Sequence, residues 1–158
     1  TKLDAFLVLS YLDRATLKDT YSYAKKDHIK SGIRRYLASR ANVIVMDLSK
    51  ELKNSIQKMA EVVKLGKKIV IFPEGTRTQT GELGDFKKTY AILSTELNIP
   101  VVPVAIKGAY EAMSSGAKKI KMGSKITIEF LPPIYPEQLK PEELNDLVKY
   151  KIVSAKLL

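Results

Sequence analysis

The sequence predicts an α/β fold: a mixed, mostly parallel sheet flanked by helices. Three strands are predicted at residues 42–47, 67–72 and 101–106, each around a run of apolar residues. Such runs are typical of strands that are buried on both faces of a parallel sheet. Segments with apolar residues at helical spacing separate them, and this alternation favours a sheet with helices on both faces.

Five helices are predicted where apolar residues recur on one helical face. They fall within residues 1–12, 25–38, 49–65, 85–97 and 141–152. Ser49 and Asp85 are expected to cap the third and fourth helices, because their side chains accept hydrogen bonds from free backbone N–H groups. Shorter strands are predicted at 20–24 and 124–131, with a basic loop at 108–123 before the second of them.

Length and composition favour one globular domain over residues 1–158. Hydrophobic residues make up 45% of the chain and charged residues 28%, which is typical of folded rather than disordered proteins. The chain has no cysteine, which excludes disulfides, a thiol nucleophile and a cysteine metal site. His28 is the single histidine, so a two-histidine metal pair is also excluded. We expect His28 to have a structural or surface role.

The chain is strongly basic, with 27 Lys and Arg against 17 acidic residues and a net charge of +10. This balance favours nucleic acid, anionic lipid headgroups or phosphorylated substrates as partners. The basic residues are scattered in pairs with little aromatic interleaving, so no dedicated nucleic-acid arm is indicated. The longest nearly uninterrupted apolar stretch, residues 5–12, is far shorter than the roughly 20 residues of a spanning helix.

The most specific stretch is FPEGTRT at positions 72–78, which directly follows a β-branched run. Gly75 allows a positive φ that turns backbone N–H groups toward an anion, and Arg77 carries a planar fork of donors suited to phosphate. A proline and a glycine alone would be ordinary turn chemistry. Because ligands bind beyond the carboxyl ends of strands in such sheets, the whole string predicts a phosphate site.

This string is the signature of the glycerolipid acyltransferases that acylate lysophosphatidic acid and related lysolipids, and the chain resembles that family from Asp4 to Pro103 and beyond. The family's first motif is a histidine and, after four intervening residues, an aspartate. Asp4 matches the aspartate, and the histidine would lie two positions before Thr1. We therefore expect the chain to be part of a longer protein whose N-terminal segment is missing here.

Two other stretches, residues 42–48 and 86–89, match the family pattern only in part. The family's second motif opens with glycine and closes with arginine, where this chain has Asn42 and Leu48. The resemblance therefore assigns phosphate binding to Arg77 and to nearby lysines such as Lys50 or Lys87. Lys87 matches the lysine of a family Phe-Lys-x-Gly pattern.

The resemblance implies transfer of a fatty acyl group from an acyl thioester, acyl-CoA or acyl-carrier protein, to the free hydroxyl of a lysophospholipid in phospholipid biosynthesis. The missing histidine would be the general base, oriented by Asp4, so the chain as given is expected to be inactive. No cofactor, metal or nucleic acid is implied. The expected location is peripheral, on the cytoplasmic face of a membrane with an anionic surface. The substrate-binding residues implied are Lys2, Glu74, Gly75, Thr76, Arg77, Thr78 and Lys87.

Two alternatives stay open. The first is a non-catalytic domain of the same fold that binds an anion or a membrane surface, which the missing arginine at position 48 would suit. The identity of the residue two positions before Thr1 separates it from the enzyme. The second is a nucleic-acid-binding domain, indicated by net charge alone.

Overall fold

The computed structural model describes residues 4–25, 42–46, 52–76, 78, 80–112 and 121–157. They form two compact units, Tyr11–Phe72 and a second unit composed of Thr1–Ser10 with Pro73–Leu158. The helix predicted at 25–38 lies outside the described residues except for Lys25, which ends a strand. His28, Leu48, Ser49 and Lys50 also lie outside them.

The α/β fold and its parallel sheet are confirmed. The helices in the described residues are α1 Asp4–Ser10, α2 Arg14–Lys18, α3 Leu52–Lys64, α4 Thr89–Leu97, α5 Ala109–Ala112 and α6 Pro141–Leu157. The strands are β1 Thr20–Lys25, β2 Val43–Met46, β3 Lys68–Val70, β4 Val104–Lys107 and β5 Thr127–Phe130. None of these helices is long and apolar enough to cross a membrane.

The Tyr11–Phe72 unit contains a parallel sheet in the order β2-β1-β3. Ser22 in the middle strand lies opposite Val43 on one side and Val70 on the other. Helix α3 packs on β2 and β3 of this sheet, and its Met59 is fully buried. Lys67 forms an ion pair of 2.5 Å with Asp19, which lowers the pKa of the aspartate and fixes the start of β3 beside β1.

Asn42 shows why one family glycine is dispensable here. Its φ is 47°, in the left-handed region that glycine favours and asparagine tolerates better than most residues. The asparagine side chain also donates a hydrogen bond of 2.8 Å to the carbonyl of Lys18. The replacement of glycine is thus compatible with the local backbone.

The second unit is built on α6, which packs against α4 and β4. Strands β4 and β5 pair antiparallel, with Val104 opposite Phe130 and Lys107 opposite Thr127. The predicted apolar face of α6 is largely buried: Leu144, Val148 and Ile152 are all in the core. Removing these side chains from water stabilises the packing of the helix.

The start of α4 differs from the prediction. The helix begins at Thr89 after an N-cap residue, Lys88, that makes no side-chain cap. Asp85 does not cap it, because its carboxylate accepts a hydrogen bond of 3.0 Å from Nζ of Lys149 on α6. The helix ends as predicted, with Asn98 in the left-handed conformation at φ 50°.

Two predicted strands are shorter than their apolar runs. The run at 67–72 gives only β3, and the run at 101–106 gives β4 only from Val104 onward. Pro103 lies just before β4 and has no N–H for a ladder hydrogen bond, but its carbonyl accepts one of 2.9 Å from Leu131. Val101 forms an isolated antiparallel bridge with Ile134.

The buried hydroxyl of Tyr90 predicts an alkaline weakening of the fold. Tyr90 is 8% exposed, and its hydroxyl makes no hydrogen bond in the part of the chain that is described. Burial, with a smaller contribution from the charge of Asp146, raises the pKa of Tyr90. Above pH ~10 the unfolded chain loses this proton while the folded chain keeps it, so the free energy of unfolding falls by at most about 1.4 kcal/mol per pH unit.

Tyr90→Phe should remove this loss. At neutral pH the variant should be more stable by about 1 kcal/mol, because a buried unpaired hydroxyl is removed. The difference from the original chain should grow above pH 10. Urea unfolding between pH 8 and pH 11 measures both effects, with the exposed Tyr150→Phe as the matched control. Parallel pH profiles for Tyr90→Phe and the original chain would contradict the prediction.

Candidate functional site

The FPEGTRT motif opens a closed surface loop of the second unit. The loop runs from Pro73 to Lys87, and its two ends meet where the N–H of Lys87 donates a hydrogen bond of 2.9 Å to the carbonyl of Pro73. A loop whose ends are tied in this way holds its side chains in place without regular secondary structure. We refer to residues 73–87 as the motif loop.

Glu74 orders the interior of the motif loop. Its Oε2 accepts a hydrogen bond of 2.8 Å from the N–H of Gly84. A Cβ at position 84 would lie 3.2 Å from the same oxygen, so glycine lets the backbone approach the carboxylate. Of the two roles that Glu74 can have, ordering the loop and contacting a ligand, this hydrogen bond provides the first.

Gly75 and Lys87 lie together at the base of the loop. Gly75 has a φ of 65°, as the motif predicted, and a Cβ there would lie 3.1 Å from Cε and 3.3 Å from Nζ of Lys87. The lysine side chain therefore runs directly over the glycine backbone. Within the described residues Lys87 makes no ion pair and is exposed, so its ammonium group is available to an anion.

The threonines of the loop form a hydrogen-bonded turn. Oγ1 of Thr78 accepts hydrogen bonds from the N–H groups of Gly81 at 3.0 Å and Thr80 at 3.3 Å. The ring of Tyr110, on α5, lies against Gly81, where a Cβ would come within 3.0 Å of Cδ1. The oxygen of Thr78 thus shapes the loop, while its hydroxyl proton can still be donated.

A small pocket lies inside the motif loop. It has a volume of about 200 Å³, room for a polar headgroup of several heavy atoms but not for a fatty acyl chain. Three of the predicted substrate-binding residues, Glu74, Thr76 and Thr78, line it. The remaining lining residues are Thr80, Glu82, Leu83, Gly84 and Asp85.

Two ion pairs hold the C-terminal end of the loop on α6. Lys149 lies 3.0 Å from Asp85 and 5.9 Å from the ring centre of Phe86. Lys88 lies 3.0 Å from Glu142, and the hydrogen bond between them lowers the pKa of Glu142. The cations of Lys88 and Lys149 are thus occupied within the protein.

Asp4, Lys2 and Arg77 complete the set of predicted site residues. Asp4 is the first residue of α1, in the same unit, and is half-buried. A carboxylate in the first turn of a helix interacts favourably with the helix dipole. Lys2 and Arg77 lie outside the described residues. Among those that are described, no group of three His, Cys, Asp or Glu side chains is arranged to hold a metal ion.

Sequence reasoning missed the partners that shape the loop. Gly81 and Gly84 were visible only as glycines of a polar loop, and their pairing with Tyr110 and Glu74 depends on contacts between separate parts of the chain. Tyr110 carried no local signal, because it belongs to a predicted basic loop and lies far from the motif in sequence.

The fold and this loop define a class of protein, an α/β domain with an ordered polar loop that follows a strand of a parallel sheet. A family model described as Acyltransferase matches residues 1–107. The chain belongs to the acyltransferase family, as the FPEGTRT motif predicted.

Individual relatives share about a third of the sequence or less. The 1-acyl-sn-glycerol-3-phosphate acyltransferase of Limnanthes douglasii is 30% identical over 151 residues, covering 93% of this chain and 52% of the relative. The Cocos nucifera protein of that name is 29% identical over 150 residues, covering 93% and 47%. The Mus musculus alpha form is 24% identical over 138 residues, covering 83% and 48%. This chain spans about half the length of these curated relatives.

A solved structure shares the fold. The crystal structure of the 1-acyl-sn-glycerophosphate (LPA) acyltransferase PlsC from Thermotoga maritima matches with a TM-score of 0.76 over 95% of this chain and 58% of that chain. The sequence identity is 24%, so the likeness concerns the fold alone.

Proposed function

We propose that the chain is the acyltransferase domain of an enzyme that moves a fatty acyl group from an acyl thioester to the free hydroxyl of a lysophospholipid such as 1-acylglycerol-3-phosphate. The observation that carries the proposal is the ordered motif loop, in which Lys87 lies over Gly75 and Glu74 binds Gly84. The names of the relatives support the lysolipid acceptor.

In this proposal the phosphate binds at the base of the motif loop. The N–H groups of Gly75 and Thr76, the ammonium of Lys87 and the guanidinium of Arg77 supply donors and positive charge, with Lys2 as a further cation. The neighbouring pocket is lined by three threonine hydroxyls and by the carboxylates of Glu74, Glu82 and Asp85. Carboxylates accept hydrogen bonds from hydroxyl groups, so the pocket suits the hydroxyl-bearing part of a headgroup rather than its phosphate. Glu74 thus supports the site even where it does not touch the ligand.

The proposed reaction is one acyl transfer. A histidine five residues before Asp4 takes the proton of the lysolipid hydroxyl as its oxygen attacks the thioester carbonyl. The carbon–sulfur bond breaks, and the thiolate leaves and takes up the proton. Asp4 holds the imidazole and stabilises its protonated form. Written in this way, the reaction needs no oxidant, metal or organic cofactor.

The donor and the location belong to the same proposal. Acyl-CoA and acyl-carrier protein both present the thioester that the reaction consumes. The lipid acceptor and the net charge of +10 favour a peripheral position on an anionic membrane, at its cytoplasmic face. Phospholipid biosynthesis would use the product.

Incubating the chain with its native upstream residues, 1-acylglycerol-3-phosphate and labelled acyl-CoA or acyl-carrier protein tests the function. The expected result is time-dependent formation of diacylglycerol phosphate, detected by mass spectrometry. Asp4→Asn should lower the rate by about 100-fold or more, because the imidazole loses its orienting charge. Binding of the lysolipid without product from either donor would favour the non-catalytic alternative, which the absence of arginine at position 48 suits.

A further inference from the structure

A second surface of the same unit has the chemistry of a membrane contact. Met122 is 92% exposed, the highest exposure among the large hydrophobic side chains of the described residues. Gly123 follows it with a φ of 81°, and a Cβ at that position would meet nothing within 4 Å. Among the described residues, the methionine therefore stands exposed at the tip of a turn.

The 121–125 turn is held in a defined shape. The N–H of Lys121 donates a hydrogen bond of 2.8 Å to the carbonyl of Ala112, and Oγ of Ser124 donates one of 3.0 Å to the carbonyl of Lys121. At the other end of the turn, a Cβ added to Gly108 would overlap the carbonyl oxygen of Lys125. The backbone of Lys125 therefore packs directly against the glycine. An exposed apolar tip is thus fixed from both sides.

The turn and the motif loop share a contact partner. Both contact the short helix α5: the ring of Tyr110 lies against Gly81 of the loop, and the carbonyl of Ala112 holds Lys121 of the turn. Two residues of one helix therefore connect the candidate headgroup site with the exposed methionine.

The charge around the tip is predominantly positive. Lys121 and Lys125 are exposed on either side of Met122, and Lys118 and Lys119 precede them in the sequence. Lys107 ends the strand that pairs with β5, while the acidic residues of the neighbouring elements are Glu111 on α5 and Glu129 on β5. An exposed apolar side chain between cations matches an anionic lipid interface, where the tip enters the acyl boundary and the lysines meet headgroups.

We propose that the 121–125 turn docks the protein on an anionic lipid bilayer, with Met122 inserted, and so places the motif loop at the membrane surface where a lysolipid resides. This inference rests on the proposed function, because it assigns the membrane contact that the acyl acceptor requires. Lysines alone would also suit an acidic protein, but a single exposed apolar residue at the tip of a turn suits insertion into lipid.

Co-sedimentation with vesicles made of equal parts of phosphatidylcholine and phosphatidylglycerol tests the docking. Met122→Asp should weaken vesicle binding by about tenfold or more. Lys121→Ala and Lys125→Ala should each weaken it by about fivefold, and only on vesicles that contain the anionic lipid. The matched control is Leu65→Asp, which changes a 75% exposed leucine next to Lys64 at a turn of the other unit. The control should bind vesicles as the original chain does.

Equal binding of Met122→Asp and the original chain would overturn the proposal, as would equal losses for Met122→Asp and Leu65→Asp. A Met122→Asp variant that loses affinity for acyl-carrier protein but keeps vesicle binding would assign the turn to that protein instead. Acylation of a short-chain lysolipid dissolved as monomers, measured on the chain extended upstream of Thr1 with the histidine that the proposed reaction requires, separates docking from catalysis. Met122→Asp should retain that activity, whereas failure of every variant to acylate it would count against the proposed function alone.

Discussion

Extending the chain upstream of Thr1 so that a histidine lies five residues before Asp4 should raise the rate of acyl transfer by about two to four orders of magnitude over the 158-residue chain. The proposed reaction assigns the general base to that position, and the only histidine of the sequence, His28, lies downstream of Asp4. In this proposal the 158-residue chain lacks its base, and the hydroxyl proton must go to water as the oxygen attacks. Initial rates of phosphatidic acid formation at equal protein concentration measure the difference.

The matched control is the extended chain with that histidine replaced by alanine. It restores any contribution of the extra segment to folding or membrane contact but not the base, so its rate should fall back to that of the shorter chain. Equal turnover of the 158-residue chain and the extended chain would refute the role of the upstream histidine. In that event the base would have to be sought within the chain itself.

In the extended chain, replacing Arg77 with alanine should raise the KM for the lysolipid by about 30-fold or more, with a smaller effect on kcat. Arginine is the one residue of the motif with a planar pair of donors, and the second-motif arginine that would share the phosphate is leucine at position 48. Lys87 remains over Gly75 and supplies part of the charge, but as a single ammonium group. Steady-state kinetics with a soluble short-chain lysolipid measure the change.

Lys88→Ala is the matched control for this loss of a cation. Lys88 neighbours the motif loop, but its ammonium is paired with Glu142 at 3.0 Å, so its removal should leave the KM nearly unchanged. Lys87→Ala should lie between the two variants. Equal KM values for Arg77→Ala and Lys88→Ala would show that Arg77 does not bind the phosphate.

The parts of the fold that depend on local pattern were predictable. The apolar runs at 42–47 and 67–72 lead to parallel strands, and helical spacing identified Met59 and Val148, both of which are buried. The motif at 72–78 identified the family because seven residues of fixed chemistry coincide at a strand end.

Contacts between distant parts of the chain were not predictable. Asp85 looked like a helix cap, but a lysine from α6 takes its carboxylate, and the helix begins four residues later. The apolar runs overestimated the lengths of β3 and β4. Hydrophobicity indicates which residues are buried but not how far the hydrogen bonds between strands extend. The contact of Tyr110 with Gly81 joins segments whose separation in sequence carries no periodic signal.

Because the hydrogen bond between Pro73 and Lys87 joins its two ends, the motif loop is suited to replacement by other loop sequences. Its two attachment points stay side by side whatever the chain does between them, and the cost of closing a longer loop rises slowly with length. Insertions or exchanges between positions 74 and 84, which leave the buried Phe86 and the ion pair of Asp85 with Lys149 in place, can therefore alter the pocket with little effect on α4. Segments grafted from relatives with other headgroup preferences offer a direct route to altered acceptor choice on this scaffold.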